Sequence, residues 1–123
     1  MKICAISDLH GILPSVPECD VLCIAGDVVD LLVQRSSDES DAWWSTAFIT
    51  WANKLSCEKI FVVPGNHDIY IEQLYNGLIK DITLQEFKDK ISLLTNNKVV
   101  FLIDELYEYK GVTFYGTPWI API

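Results

Sequence analysis

Three short apolar segments of this chain are each followed at once by residues that can bind a metal ion. Residues 2–7, 20–25 and 59–63 are largely apolar, which is typical of strands buried on both faces of a parallel sheet. The residues after them read Asp8-Leu9-His10, Gly26-Asp27 and Gly65-Asn66-His67-Asp68. Ligands of open α/β sheets bind at the carboxyl ends of the strands. We therefore expect an α/β fold in which the three motifs meet at one place.

The first two motifs offer carboxylates and an imidazole. If the backbone stays extended, Asp8 and His10 project to the same side and Leu9 points into the core. Gly26 permits a sharp turn, and the two oxygens of Asp27 can bridge neighbouring cations. Each motif alone also has a structural interpretation, because Asp8 can cap, His10 can be a satisfied surface histidine and Gly-Asp is common in turns.

The third motif is the strongest local signal. It places an amide oxygen, an imidazole and a carboxylate together on a turn that begins with Gly65. A purely structural alternative exists for each of its residues. Asn66 tolerates a left-handed backbone, and Asp68 can cap a helix that begins near Ile69.

Helical periodicity is expected in three later segments. A polar loop over residues 34–41 leads to a helix over residues 41–55, and residues 69–80 form a second helix. Thr83 and Glu86 fit a capping box at the start of a third helix, which ends near Asn96-Asn97. The apolar positions that recur with helical spacing on the first and third helices are Trp44, Phe48, Trp51, Leu55, Leu84, Phe87, Ile91 and Leu94.

The texture changes after Lys98. Residues 99–103, 106–109 and 112–115 are rich in strand formers, and Lys110-Gly111 lies where a tight hairpin turn would fall. We expect these three strands to be antiparallel.

Composition limits the classes of function. The 123 residues have the length of one domain, yet half of them are hydrophobic, which suits an incomplete domain with exposed apolar surface. The formal charge of −8 does not favour nucleic acid as a partner. Bound divalent cations would attract phosphate groups locally instead.

Cysteine usage and hydropathy indicate the compartment. Cys4, Cys19, Cys23 and Cys57 form no close CxxC pair, so we expect reduced thiols in apolar surroundings. The apolar stretch after Met1 is too short for a signal peptide or a membrane span. These features predict a cytoplasmic protein that does not insert into a membrane.

Together the three motifs resemble those of the calcineurin-like metallophosphoesterase superfamily. Its early blocks read D-x-H, then G-D-x-x-[DE], then G-N-H-[DE], and all three occur here in that order after predicted strands. Gly116-Thr117-Pro118-Trp119 is similar to a small phosphodiesterase-type branch. The segment from Gly26 to Leu31 reads GDVVDL, which lacks the Arg-Gly ending of the protein Ser/Thr phosphatases.

The resemblance implies the N-terminal part of a four-layer αββα sandwich, with residues 1–123 as a single, incomplete domain. It implies hydrolysis of a phosphomonoester or phosphodiester by a water that two divalent ions (Mn, Fe, Zn or Mg) activate. The implied metal ligands are Asp8, His10, Asp27 and Asn66. The implied catalytic residues are His67, near the leaving group, and Asp68, which would orient the other ring nitrogen of His67.

The chain departs from the superfamily in its histidines. The downstream Gly-His and Gly-His-x-His blocks, which complete both metal shells, are absent, and the chain has two histidines in all. Besides an enzyme acting on a phosphoester, two interpretations therefore stay open. One is a non-catalytic interaction module, and the other is a half-site completed by a second copy or by a C-terminal polypeptide.

Overall fold

A four-stranded parallel sheet organises the protein, and the computed structural model describes residues 1–118. The strands lie in the order β1-β2-β3-β4, and their bounds are Ile3–Ile6, Val21–Ala25, Lys59–Val63 and Val99–Phe101. The first three confirm the strands predicted from the apolar runs. The expectation that the strand near Val99 is antiparallel is wrong, because Val99 pairs in parallel with Ile60 of β3. Two helices lie between β3 and β4 in sequence, and this crossover returns the chain to the same end of the sheet, as parallel pairing requires.

Within residues 1–118, four α-helices and one π-helical segment cover the sheet. Their bounds are α1 Ser37–Trp43, the π-helical segment Trp44–Phe48, α2 Ile49–Lys54, α3 Ile69–Tyr75 and α4 Leu84–Leu94. The first helix begins earlier than expected, because the Ser36 hydroxyl accepts the Glu39 N–H at 3.2 Å and caps it there. The helix predicted over residues 69–80, which is α3, ends earlier than expected, before Gly77, whose φ of +72° is not helical.

The predicted capping box of α4 is confirmed. The Thr83 hydroxyl accepts the N–H of Glu86 at 3.1 Å, and the Glu86 carboxylate accepts the N–H of Thr83 at 3.0 Å. Asn96 and Asn97 follow the helix with φ values of 51° and 61°. These left-handed residues stop the helix where the sequence indicated.

The core lies between the helices and one face of the sheet. Alternate residues of β2 and β3 point to this face, and the residues involved are Leu22, Ile24, Ile60 and Val62. Trp44 and Phe48 are completely buried against them, whereas Trp51 and Leu55 are half-buried at the margin. The aromatic stripe is therefore core, as its spacing predicted.

A β-hairpin packs on the opposite face of the sheet. Its strands are β5 (Glu105–Tyr109) and β6 (Val112–Gly116), and Lys110 and Gly111 both have positive φ at the turn, as a tight hairpin requires. Phe114 stacks on Phe61 of β3 with ring centroids 4.4 Å apart. Helices, parallel sheet and hairpin thus form three layers, which confirms the predicted α/β class.

No helix within residues 1–118 has the length and apolar character needed to cross a bilayer.

Two positions on α4, two residues apart, test the packing of this helix against the sheet. Ile91 is fully buried and Leu93 is 77% exposed on the same helix. We expect Ile91→Ala to lower the free energy of unfolding by about 2–5 kcal/mol, because it leaves a cavity in the helix-facing core. Leu93→Ala should change it by less than about 0.5 kcal/mol. Urea denaturation followed by circular dichroism measures both, and equal losses would contradict the described burial.

Candidate metal centre

The loops after β1 and β2 run side by side. The backbone N–H groups of Asp8, His10 and Gly11 donate to the carbonyls of Gly26, Asp27 and Val28 at 3.0, 2.9 and 2.9 Å, respectively. The first two motifs are therefore held together by main-chain hydrogen bonds that continue beyond the sheet. This pairing fixes the relative backbone positions of Asp8, His10 and Asp27.

Asp8, His10 and Asp27 form one cluster of possible ligands. One ligand atom from each lies within 4.8 Å of the others. All three residues have left-handed backbones, with φ values of 54°, 47° and 53°, so the extended conformation expected for Asp8 and His10 is wrong. Leu9 between them is 7% exposed and lies in the core, as expected. Non-glycine residues with positive φ cost free energy and concentrate at functional sites.

The His10 ring carries an unused polar atom. Its Nδ1 is buried and has no hydrogen-bond partner among residues 1–118. A buried polar atom without a partner is costly, and a nearby cation would satisfy an imidazole nitrogen that carries a free lone pair. The mixed carboxylate and imidazole donors of this cluster suit a divalent transition metal. The residues present therefore fit a bound divalent ion.

The third motif approaches Asp27 closely. A Cβ on Gly65 would overlap the carboxylate and the N–H of Asp27, so this position requires glycine. Asp27 Oδ1 accepts the backbone N–H of His67 at 2.9 Å, and Asp27 Oδ2 lies 3.3 Å from His67 Nδ1. The rings of His10 and His67 meet edge to face with centroids 5.7 Å apart. Asp27 thus contacts both histidine-bearing loops.

The charge state of Asp27 follows from these contacts. Burial raises the pKa of its carboxyl, but the backbone and ring hydrogen bonds from His67, and the charges of His67 and His10, outweigh burial. The pKa of Asp27 therefore lies below its usual value, and the carboxylate is ionised at neutral pH. An ionised carboxylate is the form that binds cations.

Asn66 is exposed and lines a cavity of about 470 Å³ together with Asp27. The opposite wall is the end of β6 and the residues after it, and includes Tyr115 and Thr117. Tyr115 was not predicted as a wall residue, although the resemblance of the adjoining Gly-Thr-Pro stretch pointed to this segment. Trp119, the residue after that stretch, lies outside the described residues.

The structure gives Asp68 partners different from those expected. Its side chain is 1% exposed and accepts the N–H groups of Val28 and Val29, each at 2.9 Å, and of Gly65 at 2.8 Å. At the ring of His67, Asp27 Oδ2 lies 3.3 Å from Nδ1, and the catalytic, orienting role expected for Asp68 stays a prediction. The Asp68 side chain does not cap α3. Its observed contacts tie two loops together.

Burial of the Asp68 carboxyl, together with the nearby charge of Asp27, holds its pKa above the usual value, although the hydrogen bonds from Gly65, Val29 and Val28 act in the opposite direction. Both oxygens accept backbone N–H groups, so an acceptor-only carboxylate matches the surroundings.

We expect Asp68→Asn to lower the free energy of unfolding by about 1–3 kcal/mol, because the new amide NH₂ would face a backbone N–H and leave it unpaired. Asp30→Asn is the matched control, since Asp30 accepts the N–H of Leu32 through one oxygen that an amide also provides. The urea concentrations at the midpoint of unfolding, measured for both variants and for the parent chain, give the comparison of stability. Equal stability of Asp68→Asn and the parent chain would contradict the loop-tying role.

Comparison with known proteins agrees with these motifs. The sequence profile of the calcineurin-like phosphoesterases matches residues 1–121. A UPF0046 protein of Caenorhabditis elegans is 27% identical over 126 residues, which cover 97% of this chain and 41% of that protein. Metallophosphoesterase domain-containing protein 1 of Homo sapiens and its counterpart in Mus musculus are each 25% identical over 131 residues, covering 96% of this chain and 37% of those proteins.

The chain therefore spans about two fifths of the length of these curated relatives. The profile match covers nearly all of the chain and includes the three strand-end motifs. This chain belongs to the calcineurin-like phosphoesterase family.

Proposed function

We propose that this chain is a metal-dependent hydrolase of phosphomonoesters or phosphodiesters. The observation that supports the proposal most strongly is the approach of Asp8, His10 and Asp27, whose ligand atoms lie within 4.8 Å of one another. Family membership over residues 1–121 supports the same chemistry. With a formal charge of −8, the protein itself repels phosphate, so bound cations are needed to attract the substrate.

In this proposal Asp8, His10, Asp27 and Asn66 are the residues that would hold the divalent ions: Asp8 and His10 the first, Asn66 the second, and Asp27 both. Divalent ions at such a site polarise phosphoryl oxygens and lower the pKa of water, which supplies a hydroxide nucleophile at neutral pH. The hydrogen bonds between the two loops keep Asp8, His10 and Asp27 together, so little backbone reorganisation is needed on binding. Oxygen and imidazole donors suit Mn, Fe, Zn or Mg, and the ligand set does not select among them.

His67 is the proposed proton donor to the departing oxygen. Its side chain is 47% exposed, so substrate can reach it, and Asp27 lies 3.3 Å from its Nδ1. A carboxylate at that nitrogen fixes the orientation of the ring. The role expected for Asp68 toward His67 is thus assigned to Asp27. Asp68 supports the site indirectly by holding the loop that carries His67.

Two finer assignments belong to the same proposal. Similarity of the Gly116-Thr117-Pro118-Trp119 segment to a small phosphodiesterase-type branch favours diesters as substrates. The four cysteines are free, which is compatible with residence in the reducing cytoplasm.

The count of histidines favours a second candidate function. With two histidines in the chain, the second ion would have fewer protein ligands than structural or catalytic sites normally provide. A half-site completed by another copy, or by a C-terminal polypeptide, would supply the missing donors. A purely non-catalytic module does not require the left-handed backbones of Asp8, His10 and Asp27, which carry a cost in stability.

Asp27→Asn tests the proposal against a closely matched control. Asp104 has nearly the same backbone φ, 54° against 53° for Asp27, and is exposed. We expect Asp27→Asn to weaken Mn²⁺ binding by at least about tenfold, because a neutral amide replaces the bridging carboxylate. Hydrolysis of a generic aryl phosphodiester should fall with it. Asp104→Asn should leave both unchanged, as measured by calorimetric titration and by release of the aryl alcohol.

The dependence on protein concentration separates the two candidates. Turnover per chain that is constant with concentration supports the enzyme, and turnover per chain that rises with concentration supports a site completed by a second copy. Mn²⁺ binding of equal strength in the parent chain and in Asp27→Asn would contradict both.

A further inference from the structure

Three large aliphatic side chains stand exposed on the two loops that carry the candidate ligands. Ile12 is 75% exposed, Leu31 is 52% exposed and Leu32 is 89% exposed. We call these three residues the aliphatic rim. Ile12 follows His10 by two positions, and Leu31 and Leu32 follow Asp27 by four and five positions. The rim therefore belongs to the same loops as the cluster of Asp8, His10 and Asp27.

The two parts of the rim lie on adjoining stretches of chain. Gly11, with φ +84°, packs directly on the second loop, since a Cβ built on it would come within 2.6 Å of Asp30 Cα. Its N–H also donates to Val28 at 2.9 Å. Gly11 and Asp30 are in contact. Ile12 and Leu31, the residues that follow them, are therefore attached to the backbone at neighbouring positions.

Local contacts hold the rim in an exposed conformation. On the first loop, the Ile12 N–H donates to Leu9 at 2.9 Å, and the indole N–H of Trp51 donates to the Pro14 carbonyl at 2.8 Å. On the second loop, the Asp30 carboxylate accepts the Leu32 N–H at 2.9 Å. These hydrogen bonds fix the conformation of both loops, and the three side chains are exposed in that conformation.

The neighbours of the rim point the other way. Leu13 and Val33, next to Ile12 and Leu32 in sequence, are half-buried and pack against the helix-facing core. The loops thus carry two sets of apolar side chains. One set packs against the core and anchors the loops, and the other set is exposed to solvent. Exposed aliphatic groups on the loops that also carry a polar cluster suit a ligand with one polar and one apolar part.

We propose that the phosphoester handled by this site carries an apolar organic group, and that the aliphatic rim binds that group. This inference rests on the proposed function, because the candidate metal cluster must hold the phosphoryl group for the rim to meet the rest of the molecule. Three side chains do not provide the roughly 800 Å² per partner of a standard protein interface. The acidic chain, with its charge of −8, does not favour an anionic membrane surface.

A series of alkylphosphonates of increasing chain length tests the inference without turnover. Methyl-, butyl- and hexylphosphonate share a phosphoryl-like head that a phosphoesterase cannot cleave. In the presence of Mn²⁺, we expect the affinity of the parent chain to rise about two- to fourfold per methylene group, because each methylene leaves water for the rim. Calorimetric titration measures each dissociation constant.

Paired substitutions locate the effect. Ile12→Ser combined with Leu32→Ser should reduce the gain per methylene group to less than half of its value in the parent chain. Leu93→Ser is the matched control, because Leu93 is 77% exposed but lies on α4. It should retain the full dependence on chain length.

The possible results separate failure of the inference about the aliphatic rim from failure of the proposed function. Mn²⁺-dependent binding of methylphosphonate without a gain along the series, or with the same gain in the double variant, would overturn the inference and leave the proposed function standing. Equal binding of hexylphosphonate after chelation of Mn²⁺ would also overturn it. Failure of every phosphonate to bind in a Mn²⁺-dependent way would refute the proposed function and the inference with it.

Discussion

The buried carboxylate of Asp68 joins the parts of the candidate site. It lies at the start of α3 and accepts N–H groups from the loop after β2 and from Gly65 in the loop after β3. Hydrogen bonds to an ionised group are stronger than neutral ones, and leaving such donors unpaired in the interior is costly. This arrangement sets the position of Asp27 relative to His67. The parallel sheet brings three loops to one end, and Asp68 fixes two of them to each other.

The chemistry proposed for the site follows from this framework. Main-chain hydrogen bonds hold Asp8 and His10 beside Asp27, and the absence of a side chain at Gly65 lets the third motif approach. The result is a cluster of oxygen and nitrogen donors from Asp8, His10 and Asp27, and the buried Nδ1 of His10 lacks a partner among the described residues. Sites of this kind gain stability when a cation enters. The aliphatic rim lies on the same two loops, so one local structure accounts for both proposed parts of substrate recognition.

Much of the fold was predictable because strong local patterns agreed with the tertiary structure. Buried strands and the capping box at Thr83 were specified by apolar runs and by side-chain hydrogen bonding. The parallel pairing of β4 was not, because its direction depends on the helix that precedes it and not on the composition of the strand. Within the site, sequence order indicated which motifs meet. It could not show that Asp8 and His10 leave the extended conformation, or that Asp27 lies beside the ring of His67, since these features depend on contacts between residues far apart in the chain.

The central claim is that Asp8, His10 and Asp27 together bind a divalent cation. Anomalous diffraction from crystals of this chain soaked in MnCl₂ tests it most directly. The account predicts an anomalous peak in direct coordination contact with all three side chains. A well-occupied peak elsewhere, or no peak between these residues at saturating Mn²⁺, would contradict it.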